Sequence, residues 1–185
     1  MAVRIYGNRE IKTLPGEATR PTSARVREAL FNIWQGRVLG CRWLDLCAGS
    51  GAMGAEALCR GATAVVGIEA SGAACDVIGH NWQKVAKPAQ LFQVVKGDVV
   101  QQLKRMTANT NMAPFDLVYF DPPYAADLYS PVLTLIADCL GPQGEAAIEY
   151  SAAHWQPGHL PLNLEIVKEK RYGSTSLVFV RRVNR

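Results

Sequence analysis

The 185-residue sequence predicts an α/β fold: an open, mostly parallel β-sheet flanked by helices and closed by an antiparallel C-terminal hairpin. Three observations support it. From residue 42 onward, short apolar runs alternate with helix-length segments, a rhythm of βα units that implies a parallel sheet covered on both faces. A Gly-rich turn follows the first of these runs. The last two β-rich runs are joined only by "RYG", which leaves no room for a crossover helix.

Before the first βα unit, "RPT" supplies a proline stop and Thr22 or Ser23 a cap for an N-terminal helix. Val26, Leu30, Ile33 and Trp34 share one face of it. Arg25 and Arg27 flank that stripe at about 100° per residue. The helix is expected to pack on the main body with its arginines outward. "RWLDLC" is the first strand, and Met53 to Arg60 a helix after the glycine turn. "AVVGIEA" is the second strand, with Ser71 capping a helix to about Val85. "QLFQVV" is the third, with Asp98 at the turn into a helix over Val99 to Met106. "FDLVYFD" is the fourth, followed by a helix from Tyr129 to Leu140, and "GEAAIEY" the fifth after Gly141-Pro142. "LNLEIVKEK" and "STSLVFVRR" make the hairpin. The chain reads as one domain overall, with a basic arm and helix in residues 1–40 packed on a core of residues 41–185.

Composition narrows the class. Hydrophobic residues are 49% and charged residues 19%, which marks a globular rather than a disordered chain. No apolar run reaches the roughly 18 residues that span a membrane, and "MAVRIYGNREIK" has no apolar signal segment. A cytoplasmic protein without membrane contact is expected. The five cysteines include no CxxC pair, and the three histidines no HExxH pair, so neither a disulfide framework nor a metal site is expected. Residues 1–40 hold seven basic residues against three acidic ones, which equals the whole net charge of +4. A basic arm ahead of a near-neutral body suits a polyanionic partner, although an ordinary solvated surface has the same composition.

"LDLCAGSGAMGAEAL" carries the clearest ligand motif. Gly49, Gly51 and Gly54 satisfy GxGxxG, and Glu69 ends the next strand, as in dinucleotide-binding proteins. A nicotinamide-dependent oxidoreductase is therefore a serious alternative. Asp45 argues against it, because a carboxylate there would repel a pyrophosphate. S-adenosylmethionine has no phosphate and carries a sulfonium and an ammonium, so a nearby acid is acceptable. Glu69 can accept hydrogen bonds from ribose hydroxyls, and Asp98 from an adenine amino group. Three acids at successive strand ends meet at the carboxyl edge of the sheet, although each can also be a helix N-cap.

The fourth strand stops on Asp121-Pro122-Pro123-Tyr124. A turn alone would explain the prolines. The sequence of groups also suits a clamp for an amine. An exocyclic amino group is a weak nucleophile because its lone pair is delocalised into the ring. Two acceptors, the Asp121 carboxylate and the Pro122 carbonyl held by the stiff Pro-Pro unit, would draw it toward tetrahedral geometry. Tyr124 would stack on the base.

Together "ATRPTSARVREALFNIW", "LDLCAGSGAMGAEALCRGA", "FDPPY" and "KRYGSTSL" resemble the RsmD-type 16S ribosomal RNA guanine-N2 methyltransferases. The likeness runs from about residue 5 to residue 180, and the RPT-x-x-RVREALFN and YGxTxL stretches are its most specific parts. The resemblance implies a Rossmann-like seven-stranded methyltransferase sheet using S-adenosylmethionine. It implies cofactor contacts from Asp45, Ala48, Gly49, Ser50, Gly51, Glu69, Ala70, Asp98, Val99 and Asp121. Catalysis would fall to Asp121, Pro122, Pro123 and Tyr124. RNA contacts would fall to Arg4, Arg20, Thr22, Arg25 and Arg27. The partner would be 16S ribosomal RNA, within a partly assembled small subunit, met by a monomer. Ala24 departs from the family's usual Asp, and Cys47 and Met53 stand where Phe and Leu are usual. Other acceptors stay open at this point, namely DNA adenine or a protein glutamine, as does a non-catalytic nucleotide-binding module.

Overall fold

The computed structural model describes residues 2–14, 24–123 and 127–183. The N-terminal residues form a hairpin of β1 (Ala2–Ile5) and β2 (Arg9–Lys12), paired from Ala2↔Lys12 to Ile5↔Arg9. Gly7 and Asn8 at its tip both adopt positive φ, at 71° and 58°, the region that Gly and Asn enter most readily. After the undescribed residues 15–23 comes α1 (Ala24–Ile33).

The body alternates as expected: β3 (Arg42–Leu46), α2 (Ala52–Cys59), β4 (Ala64–Glu69), α3 (Gly72–Val85), β5 (Leu91–Lys96), α4 (Val99–Ala108), β6 (Phe115–Phe120), α5 (Tyr129–Cys139), β7 (Leu140–Tyr150), β8 (Leu164–Tyr172) and β9 (Thr175–Arg182). These strands form one seven-stranded sheet in the order β5-β4-β3-β6-β7-β9-β8. β3 to β7 are parallel, β9 is reversed, and β8, antiparallel to β9, returns to the common direction. The Ser71 hydroxyl caps α3 by accepting from the Ala74 N–H at 3.3 Å. The fifth strand starts at Leu140 rather than Gly144, so α5 stops one residue earlier than expected.

Side chains alternate across the sheet and build a core on each face. On one face Trp43, Leu117, Tyr119, Ala147, Leu177 and Phe179 pack under α1, α2 and α3. Phe31 of α1 stacks on Trp43 at 5.3 Å, and Trp34 meets Phe179 edge-on at 5.6 Å. On the other face Leu44, Val118, Phe120, Ile148 and Val178 pack under α4 and α5.

The outward placement of both α1 arginines is corrected. Arg25 is exposed, but Arg27 is only 4% exposed. Its Nε donates to Glu56 Oε2 of α2 at 2.7 Å and its Nη2 to the Arg4 carbonyl at 2.6 Å. Arg60 donates to the other Glu56 oxygen at 2.8 Å and lies over the rings of Tyr6 and Phe31. Glu56 is buried on an otherwise apolar helix, and a buried carboxylate requires charged partners. That requirement turns Arg27 inward and joins hairpin, α1 and α2.

Candidate active site

The strand order reverses between β3 and β6: the chain leaves β3 toward β4 on one side and leaves β6 toward β7 on the other. Connections diverge there and open a crevice at the carboxyl ends of the two strands, where such sheets take their ligands. The segments after β3, β4, β5 and β6 define the site.

The turn after β3 is shaped by left-handed backbone. Cys47 and Gly49 have φ of 59° and 57°. A Cβ added to Gly49 would meet nothing within 4 Å, so this glycine faces open space above the loop. The next two glycines of the motif serve another purpose. A Cβ on Gly51 would lie 2.8 Å from Trp82 Nε1, and one on Gly54 would overlap the same ring. Trp82, fully buried on α3, donates from Nε1 to the Gly51 carbonyl at 2.8 Å. Only the first glycine thus leaves room for a ligand, and the others admit a tryptophan.

Asn81 beside it is also fully buried. Its Nδ2 donates to the Ser50 carbonyl at 2.9 Å and the Lys12 carbonyl at 2.8 Å, and its Oδ1 accepts from the Lys12 N–H at 2.9 Å. One carboxamide therefore fastens the end of the N-terminal hairpin to the glycine turn. Sequence reading missed both residues, although an asparagine inside a helix is an unfavourable choice that signals a specific partner.

The acids take distinct positions. Asp45 is 1% exposed, and its Oδ2 accepts from the Gly54 N–H at 3.0 Å, so it lies beneath the loop and holds the first turn of α2. Burial raises its pKa from 3.8 to about 8; the Gly54 hydrogen bond opposes this and the Glu69 charge adds to it. The carboxyl is then mostly protonated at neutral pH, which weakens charge repulsion from Asp45 as a reason to exclude pyrophosphate. Glu69 spans the crevice wall, accepting from the Gly49 N–H and the Ser71 N–H, each at 2.9 Å. Asp98 is exposed and caps α4 through the Gln101 N–H at 2.9 Å. Asp121 is half-buried, and its N–H points to the Leu46 carbonyl at 3.5 Å, which draws the end of β6 against the end of β3.

Cys47 lies in the turn after β3, among these acids. Burial raises its thiol pKa most, and the charges of Glu69, Asp121, Asp45 and Asp98 raise it further, in that order. Glu69, Asp98 and Asp121 thus place acidic groups around the turn after β3, an environment suited to a cationic ligand centre. Around it Ala48 is half-buried, Ser50 and Val99 are buried, and Ala70 is exposed.

Pro122 is buried and Pro123 exposed, while Tyr124 lies outside the described residues. Beneath Asp121, the Tyr119 hydroxyl hydrogen-bonds the buried carboxylate of Glu149, and the Tyr129 hydroxyl donates to the Glu149 carbonyl at 3.1 Å. Sequence reading also missed Glu149, because nothing local to its strand links it to Tyr119, 30 residues earlier. Of the basic candidates, Arg4 is exposed and Arg25 stands out from α1, whereas Arg27 is committed to Glu56; Arg20 and Thr22 lie outside the described residues.

Comparison with known proteins agrees with this architecture. The ribosomal RNA small subunit methyltransferase D of Haemophilus influenzae is 29% identical over 172 residues, covering 93% of this chain and 88% of its own length. The Escherichia coli protein of the same name is 28% identical over 180 residues, with 94% and 87% covered. A solved structure of a candidate methyltransferase from Escherichia coli, YhhF, superposes with a TM-score of 0.81 at 28% identity, covering 98% of both chains. A family model described as conserved hypothetical protein 95 matches residues 3–181. The match spans nearly the whole sequence, and the chain belongs to the conserved hypothetical protein 95 family.

Proposed function

We propose that this protein transfers a methyl group from S-adenosylmethionine to the exocyclic N2 of a guanine in small-subunit ribosomal RNA. The observation that carries the reading is that Asp45, Glu69, Asp98 and Asp121 stand at the carboxyl ends of four neighbouring parallel strands around the switch between β3 and β6, with Asp-Pro-Pro closing β6. The names of the Haemophilus and Escherichia relatives support ribosomal RNA as the substrate class.

The open space over Gly49 and the acids at the ends of β4, β5 and β6 fit the cofactor. S-adenosylmethionine supplies an electrophilic methyl group on a sulfonium. Glu69 would accept from the ribose hydroxyls and Asp98 from the adenine amino group, while Asp45 holds the first turn of α2. Asp121 and the Pro122 carbonyl accept from the two amine hydrogens of the base, which localises the nitrogen lone pair toward the crevice. Tyr124 stacks on the base, a contact of about 1–3 kcal/mol. The proton leaves after transfer, to Asp121 or to water. The protein acts as a monomer on a partly assembled subunit, whose folded RNA presents the unstacked guanine.

Labelled methyl transfer onto undermethylated small-subunit particles, followed by nucleoside analysis, tests the reading. N2-methylguanosine is the expected product. N6-methyladenosine would reject the guanine assignment, and no transfer to any RNA would reject the substrate class. Equal rates on a short unstructured oligonucleotide and on the particle would reject the assembled substrate.

A further inference from the structure

We propose that the edge strand β8 carries a second contact surface for RNA phosphates, formed by Lys168 and Lys170. The inference rests on the reading of RNA as substrate. β8 is the outermost strand of the sheet, and every residue from Glu165 to Arg171 is exposed. Its register with β9 sorts the side chains by face. Lys168 lies opposite Phe179, Lys170 opposite Leu177 and Tyr172 opposite Thr175, all on the face that α1 covers. Glu169 lies opposite Val178 on the other face, where it takes the hydroxyl of Tyr150.

The charges in this row are unbalanced. Glu165, the acid on the same face, is occupied by Arg181 at 2.6 Å. Among the described residues, Lys168 and Lys170 pair with no carboxylate. Tyr172 anchors the row by packing into the core beside them. Two ammonium groups about 7 Å apart along a strand suit successive phosphates of one chain, as point charges that position without reading bases.

The placement ties this row to the active edge. Lys170 pairs with Leu177, which pairs with Glu149, one residue beyond the Phe120↔Ile148 pair. Lys170 is therefore level with Asp121, three strand spacings away, or about 14 Å. Trp34 and Arg37, just beyond α1, donate to Glu145 in the middle of β7, on the same face as the lysines. Solvated lysines that merely guard an edge strand against pairing are the alternative.

The test replaces both lysines (K168Q/K170Q) in the full chain and measures binding to undermethylated small-subunit particles across a salt series. A control removes two exposed charges on α4, under the opposite face (K104Q/R105Q). The expected result is a log–log salt slope shallower by about 2, one unit per lysine, with about tenfold weaker binding at low salt. S-adenosylmethionine affinity should stay within twofold, the conservative K168R/K170R should keep the wild-type slope, and the control should change neither. A wild-type slope in K168Q/K170Q overturns the proposal, and aggregation of that variant with an unchanged slope assigns the lysines to edge protection instead. Wild-type protein that binds and methylates no RNA overturns the substrate reading and this surface with it. Wild-type activity with an indifferent K168Q/K170Q overturns the surface alone.

Discussion

Asp45 and Asp121 sit at the ends of neighbouring parallel strands, yet their surroundings assign them different work. Asp45 is sealed under the glycine turn and holds a proton up to a pKa of about 8. Because that value lies above the ordinary 3.8, the folded state binds the proton more tightly than the unfolded state. The resulting stability is complete below about pH 4 and is lost as pH rises through about 8. Asp45→Asn keeps an acceptor for the Gly54 N–H and removes the titration. The melting temperature of wild type should then fall more steeply than that of the variant between pH 5 and pH 9, by a difference worth a few kcal/mol at most; parallel curves would show that Asp45 stays ionised. Asp121 is half-buried at the crevice, and its proposed role belongs to the transition state. Asp121→Ala should remove at least about 99% of turnover, as expected for a lost preorganised contact. Cofactor affinity, read by calorimetry, should stay within tenfold. Near-normal turnover on the true substrate would reject the amine clamp.

At the scale of elements, the glycine turn is set less by its own residues than by α3. Trp82 fills the space that Gly51 and Gly54 leave, and Asn81 takes the Ser50 carbonyl while holding Lys12. Asn81→Leu leaves the buried Ser50 carbonyl and the half-buried Lys12 amide groups without this partner, so stability to denaturant should drop by about 1–3 kcal/mol. Cofactor affinity should fall with it, because the loop loses one of its two ties to α3; unchanged affinity would mean that Trp82 alone fixes the turn. This layout also explains what the sequence revealed. The βα rhythm, the Ser71 cap and the acids at strand ends are local signals, and each was legible. Trp82 lies 31 residues beyond Gly51, and Glu56 29 residues beyond Arg27, so no local pattern connects them. The β1–β2 hairpin did leave a local signal in Gly7-Asn8, but its strands are four residues each and carry Arg4, Arg9, Glu10 and Lys12, too short and too charged for a clear alternation.

For the molecule as a whole, the excess positive charge of residues 1–40 is divided between two tasks. Arg27 is internal: it links α1, the hairpin and α2 through Glu56 and the Arg4 carbonyl. Arg25 and Arg4 are at the surface, and among the described residues the Arg4 guanidinium pairs with the exposed Glu10. Removing one partner of a buried pair leaves an uncompensated charge, so Arg27→Ala should destabilise the fold by about 3–5 kcal/mol. Arg25→Ala should change stability by no more than about 0.5 kcal/mol, as usual for an exposed position. The RNA prediction runs the other way. A phosphate-contacting Arg25 contributes about one unit to the salt slope of particle binding, and Arg25→Ala should remove it. Arg27→Ala, studied at a temperature where it is fully folded, should retain the wild-type slope, since its guanidinium never faces the solvent. A shallower slope in folded Arg27→Ala would mean that the α1–α2 joint opens when RNA binds and releases Arg27 to a phosphate. A wild-type slope in Arg25→Ala would leave this helix a structural part with an ordinary solvated surface.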